Sequence, residues 1–166
     1  MKDSEICVGL FGTCDNVRWR DAFMAKYAEE GIAYFNPMVD DWHPGMIPLE
    51  AKHRAEDPII IFPVLKESYG LGSLSEIGFG PLKAIRQNKY RSFVVMIDDD
   101  VTDALKQQDA ARAKASRSSR ALVKGHLKDL GLSNVYLVDS LDQMLDISLT
   151  LVQVHIHLNN IQSITA

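Results

Sequence analysis

The chain has 166 residues, a formal net charge of -4, 46% hydrophobic and 24% charged residues. That length suits one domain able to bury its own core without disulfides or a structural metal. The acidic balance argues against a protein that grips nucleic-acid phosphates, and no apolar stretch approaches the length of a membrane helix. The N-terminus, MKDSEICVGLF, lacks the basic and long apolar regions of a signal peptide, so a cytoplasmic location is expected. Cys7 and Cys14 follow no zinc-binding spacing and read as two reduced thiols.

Taken in chain order, five short apolar runs alternate with helix-like segments. Ile6–Phe11 is the first strand, ended by Gly12. Asp15 or Asn16 can cap a helix over 17–30, with Trp19, Phe23 and Tyr27 on one face and Gly31 stopping it. Ile32–Phe35 is a second strand, closed by Asn36-Pro37. After a Pro- and Gly-containing loop, 49–56 reads as a short polar helix. The third strand, PIIIFPVL at 58–65, contains Pro63, which predicts a bend or the strand's end. A helix follows Gly70 and Gly72 and runs to about residue 88. Ser92–Ile97 is the fourth strand, stopped by Asp98-Asp99-Asp100, a turn or, less simply, a magnesium site.

The segment 101–130 reads as largely helical. Its middle, AARAKASRSSRA, is poor in large apolar residues and predicts a solvated or partly mobile insert. Arg112, Lys114, Arg117 and Arg120 there predict a solvated basic face. Asn134–Val138 is the fifth strand, and 141–160 a long final helix. In that helix His155 and His157 lie two apart and cannot share a face.

This alternation predicts one domain: an α/β, doubly wound, five-stranded parallel sheet in a flavodoxin/Rossmann-like three-layer sandwich. Such sheets bind ligands beyond the carboxyl ends of their strands. The segments to inspect are therefore 12–16, 36–42, 66–76 and 98–100.

Within 66–76, Gly70 and Gly72 precede Ser73, Ser75 and Glu76 at a helix start. Glycine permits close backbone approach, and free N–H groups at a helix start favour an anion. The Ser73-to-Glu76 spacing equally matches a capping box, S-x-x-E. Gly78 and Gly80 make this a locally poor helix.

GSLSEIGFG after a strand resembles the nucleoside 2-deoxyribosyltransferase family and its N-glycosidase relatives. VGLFGTCDNVRWRDAF, YFNPMVDDW and Glu56-Asp57 before PIIIF extend the resemblance over roughly residues 5–100. It implies cleavage of the N-glycosidic bond of a 2′-deoxynucleoside or its 5′-monophosphate, with transfer to another base or to water. By this resemblance Glu76 is the nucleophile and Asp57 the general acid/base. Gly12, Asn16, Trp19, Arg20, Asn36, Pro37, Asp41, Trp42, Gly72, Ser73 and Ser75 are the candidate substrate-binding residues. Trp42 can stack on a base, Arg20 can meet a carboxylate or phosphate, and Ser73 and Ser75 can hold a 5′-phosphate. No cofactor or metal is implied, and the expected partners are a small nucleoside or nucleotide and further copies of the chain.

Two positions depart from the family pattern. Gly70 stands where an aspartate binds sugar hydroxyls, and Phe11 stands nearest a tyrosine that orients the nucleophile. A non-catalytic nucleotide-sensing module on the same fold is therefore an alternative. So is an NAD glycohydrolase like those of TIR domains, another α/β fold with an essential glutamate.

Overall fold

The computed structural model describes residues 6–14, 17–38, 43–87 and 90–165. Five parallel strands form one sheet: β1 (Cys7–Leu10), β2 (Ala33–Phe35), β3 (Ile59–Val64), β4 (Ser92–Ile97) and β5 (Val135–Val138). Their order is β2-β1-β3-β4-β5. The chain therefore winds outward from β1 to one edge, then returns through β3 to the other. The point of reversal lies between β1 and β3, where doubly wound sheets open a crevice.

Six helices cover the sheet: α1 (Trp19–Glu29), α2 (Ile47–Glu56), α3 (Leu71–Gln87), α4 (Asp103–Gln108), α5 (Ala110–Leu130) and α6 (Leu141–Thr165). No helix among the described residues is long and apolar enough to cross a membrane. Every residue of β3 and β4 is buried, as expected of central strands covered on both faces. One core layer packs Trp19, Phe23 and Tyr27 of α1 and Met144, Leu151 and Val152 of α6 against the sheet. The other packs Leu74 and Ile77 of α3 and Leu127 of α5 against Phe62, Val64 and Phe93. In the first layer the aromatics of α1 meet edge to face, and the Tyr27 hydroxyl bonds Ser148 Oγ of α6 at 2.6 Å.

The expected caps Asp15 and Asn16 lie outside the described residues. The helix begins later than the sequence suggests, at Trp19. β3 runs one residue past Pro63, which pairs with Met96 inside the strand. Its carbonyl accepts from Thr13 N at 2.9 Å, so its ring nitrogen faces the same side, where β1 has already ended. No β3–β4 ladder bond is lost.

The 110–130 segment corrects the sequence reading in part. It is one helix, capped by Asp109, whose Oδ1 accepts from Arg112 N, and ended by Gly131 at a φ of 56°. Ala113, Ser116, Arg120 and Leu127 are buried on one face. The other face of its first half is solvated as expected, while Ser116 Oγ donates to Tyr69 O in the loop after β3. Arg112, Lys114 and Arg117 are exposed, whereas Arg120 has no exposed surface.

The aspartates after β4 form a turn paired with cations. Asp98 accepts from Lys66 N, Asp99 meets Lys124 Nζ at 2.6 Å, and Asp100 meets Lys106 Nζ at 3.1 Å. Lys124 holds the Asp99 carboxyl below its ordinary pKa, and the Val101 N–H, followed by Lys106, does the same at Asp100.

His155 is buried on α6, and burial holds its imidazole below the ordinary pKa of 6.5. The unfolded chain then binds a proton that the folded chain refuses. Stability present above 6.5 is lost as pH falls below it. Replacing His155 by glutamine is expected to shrink the drop in melting temperature between about pH 8 and about pH 5.5. An unchanged drop would contradict this account.

Candidate functional site

The site is assembled where β1 and β2 end. After Phe11 the chain turns at Gly12, whose φ is 96°. A Cβ at Gly12 would lie 2.5 Å from the Pro63 carbonyl oxygen, so only glycine fits. Thr13 locks the turn: its Oγ1 donates to Pro63 O and accepts from Leu65 N.

Trp19 and Arg20 hold the same loop from α1. Trp19 Nε1 and Arg20 Nη1 both donate to Thr13 O at 2.9 Å, and Arg20 Nε donates to Leu10 O. Both side chains are buried, and their donors are spent on the loop. They build the turn and do not line the cavity described next. At the end of β2, Asn36 Oδ1 accepts from Met38 N at 3.0 Å and shapes the Pro37–Met38 segment.

A cavity of about 280 Å³ opens between these two loops, α2 and α3. It is lined by Phe11, Gly12, Cys14, Pro37, Met38, Glu50, Arg54 and Glu76. The helix α3 begins at Leu71, and Gly70 O accepts its first helical bond, from Leu74 N. Ser73 is therefore inside the first turn, and the S-x-x-E capping box does not form. Glu76 is carried to the second turn, with its carboxylate half exposed at the cavity.

Arg54 stands opposite. Its Nη2 lies 3.7 Å from Glu76 Oε1 and 4.0 Å from Glu50 Oε2, and its guanidinium sits 5.2 Å over the Phe11 ring. Its Nε is buried and has no hydrogen-bond acceptor among the described residues. Two carboxylates, one cation with an unused donor, and an aromatic floor thus share one small cavity.

Gly70 is explained by its surroundings. Its φ is 65°, and a Cβ there would lie 2.7 Å from Val64 Cγ1 and 3.3 Å from Arg120 Nη2. An aspartate has no room at this position. The Arg120 guanidinium fills the space behind it and donates to the carbonyls of Val64, Asp98, Leu65 and Ser68 at 2.7–3.0 Å. Its Nε also donates to Ser116 Oγ. Arg120 thereby fixes the β3–α3 loop that aims Glu76.

Of the sequence candidates, the cavity gathers Glu76, Gly12 and Pro37. Asn36, Trp19 and Arg20 support its loops. Gly72, Ser73 and Ser75 lie on the first turns of α3, away from the lining, and Ser75 Oγ donates to Leu71 O. Asn16, Asp41 and Trp42 lie outside the described residues. Asp57 is absent from the lining; it follows α2 at the amino edge of β3, is buried, and bonds His53 Nδ1 at 3.0 Å. Burial raises its carboxyl pKa, opposed by His53, then Cys7 and Arg91.

The sequence reading missed Arg54 and Glu50. Their signal was the four-residue spacing that puts them on one face of α2.

A larger trough of about 670 Å³ opens near the start of α3, beside Arg18, Glu67, Ser68 and Tyr69. Among its lining groups Arg18 pairs with Asp21, Tyr69 donates to Leu105 O, and Ser68 Oγ accepts from Gly70 N. Among the described residues, the smaller cavity joins a carboxylate near the strand ends to an unsatisfied donor.

No family model matches the chain, and no curated protein matches it.

Proposed function

We propose that this protein cleaves the N-glycosidic bond of a 2′-deoxynucleoside or its 5′-monophosphate, with Glu76 as nucleophile. The observation that carries the reading is the cavity beyond the carboxyl ends of β1 and β2, where the Glu76 carboxylate faces Arg54 and its unsatisfied Nε. A carboxylate there can stabilise an oxocarbenium-like centre and then bond to it.

In the first step a Glu76 oxygen attacks the anomeric carbon. The carbon–nitrogen bond breaks, and its electron pair leaves with the base, which takes up a proton. In the second step water or another base attacks the same carbon, gives up its proton, and frees Glu76. Glu50 lines the cavity where Asp57 does not, so this reading moves the acid/base role from Asp57 to Glu50. Arg54 faces Glu76 across the cavity, and its guanidinium can donate to a substrate phosphate or hydroxyl. A cytoplasmic homo-oligomer belongs to the same reading; it would cover the exposed Phe79, Ile161 and Ile164.

The test is a chromatographic product assay. The protein is incubated with the four deoxynucleosides, their 5′-monophosphates and NAD, each with and without an acceptor base. Free base or an exchanged nucleoside is expected, and Glu76→Gln is expected to abolish it. Nicotinamide release from NAD with intact deoxy substrates would overturn the substrate class. A ligand that raises the melting temperature without turnover would favour a sensing module.

A further inference from the structure

Three metal-ligating side chains converge near the amino ends of β1 and β3, behind the Phe11 ring that floors the cavity. Cys7 opens β1, His53 lies on α2, and Asp57 directly follows it. Cys7 Sγ is 4.0 Å from His53 Nδ1, and that nitrogen is 3.0 and 3.2 Å from the two Asp57 oxygens. One ligating atom from each residue lies within 4.8 Å of the other two. We propose that Cys7, His53 and Asp57 form a binding site for one divalent transition-metal ion of the zinc class.

The way the imidazole is used supports this. In a proton relay, thiol and carboxylate would meet opposite ring nitrogens, one accepting and one donating. Here both face the same nitrogen, as ligands arranged around a shared centre do. A tetrahedral zinc ion separates sulfur from nitrogen by roughly 3.5 Å and nitrogen from oxygen by roughly 3.3 Å, given its usual bond lengths. The distances found lie within about half an ångström of both.

The surroundings fix the ligands. Phe35 stacks on the His53 ring at 3.8 Å and 3°, setting the ring plane. Gly9 leaves room for Asp57: a Cβ there would lie 2.9 Å from Asp57 Oδ2. Arg91 Nε donates to the Asp57 backbone carbonyl at 2.8 Å and anchors the end of α2.

A thiolate and an imidazole select zinc-class ions over magnesium or calcium. On binding, the Cys7 thiol releases its proton to solvent, and neutral His53 carries its single proton on Nε2. Asp57 enters as the carboxylate, so thiolate and carboxylate together balance the ion's two charges. Three protein ligands leave a fourth position for water.

The experiment titrates chelator-treated protein with cobalt(II), then with zinc(II). One equivalent of cobalt is expected to give a near-ultraviolet sulfur-to-cobalt band with tetrahedral visible bands, both erased by zinc. Cys7→Ser is expected to lose the near-ultraviolet band, and Cys14→Ser to keep it. His53→Gln is expected to weaken binding at least tenfold and carries the test if Cys7→Ser does not fold. A wild type without the sulfur band at one equivalent would overturn the proposal. So would a band that survives Cys7→Ser and disappears in Cys14→Ser.

Discussion

Replacing Arg120 by alanine is expected to destabilise the fold more than any other single change on α5. The side chain has no exposed surface, and its guanidinium holds the carbonyls of Val64, Leu65, Ser68 and Asp98 together. Burial depresses its pKa, opposed by Asp98, Asp100 and Glu67. Truncation removes a donor from each of those carbonyls, leaving Val64 O with only Asp98 N and Leu65 O with only Ser68 N among the described residues, and opens a void. Breaking such a buried, hydrogen-bonded charge costs about 3–5 kcal/mol, or on the order of 10 °C in melting temperature for a domain of this size. Arg120→Lys is expected to recover little, because an ammonium cannot reproduce the planar fork. Thermal melts of the two variants check this. A lysine variant as stable as the wild type would show that charge alone suffices.

The largest functional effect is expected at Glu76. Glu76→Gln keeps the shape and removes the proposed nucleophile, and turnover is expected to fall at least about 10³-fold. The carboxylate is half exposed, and its ion pair with Arg54 among the described residues is 3.7 Å long. An interaction of that kind contributes about 0–1 kcal/mol, so the melting temperature should barely move. Loss of activity with an intact melt separates chemistry from folding. The Arg120 variant gives the opposite pattern, with stability lost first.

Much of the fold was legible because buried strands announce themselves as apolar runs. IIIFPV and SFVVMI became β3 and β4, and the alternation with helices gave the five-stranded sheet. The place of Pro63 inside β3 was not legible because its tolerance depends on β1 ending at Leu10, which sequence does not show. The buried face of helix α5 was missed because Ala113 and Ser116 resemble a solvated polar stretch in composition. Arg120 looked like its exposed neighbours; only the tertiary ring of carbonyls distinguishes it.

The site was legible in part for a similar reason. Glu76 and Gly12 lie next to strand ends, where the rule for doubly wound sheets directs attention. Arg54, Glu50 and His53 sit on α2, which reads as an ordinary polar helix. Their pairing across the fold with Glu76, Phe11, Cys7 and Phe35 is tertiary. The capping-box match at Ser73 and Glu76 was a coincidence of spacing, since Gly70 already opens the helix.

The central claim is a covalent bond between Glu76 and the sugar. A 2′-fluoro-2′-deoxynucleoside carrying a base the enzyme accepts slows breakdown of that intermediate, since fluorine withdraws charge from the cationic transition state. The decisive measurement is the mass of the protein and its peptides after acid quench. The account predicts one added fluorodeoxyribosyl group, on the peptide containing Glu76, and none in Glu76→Gln. An adduct on any other carboxylate, or base release by Glu76→Gln at the wild-type rate, would contradict it.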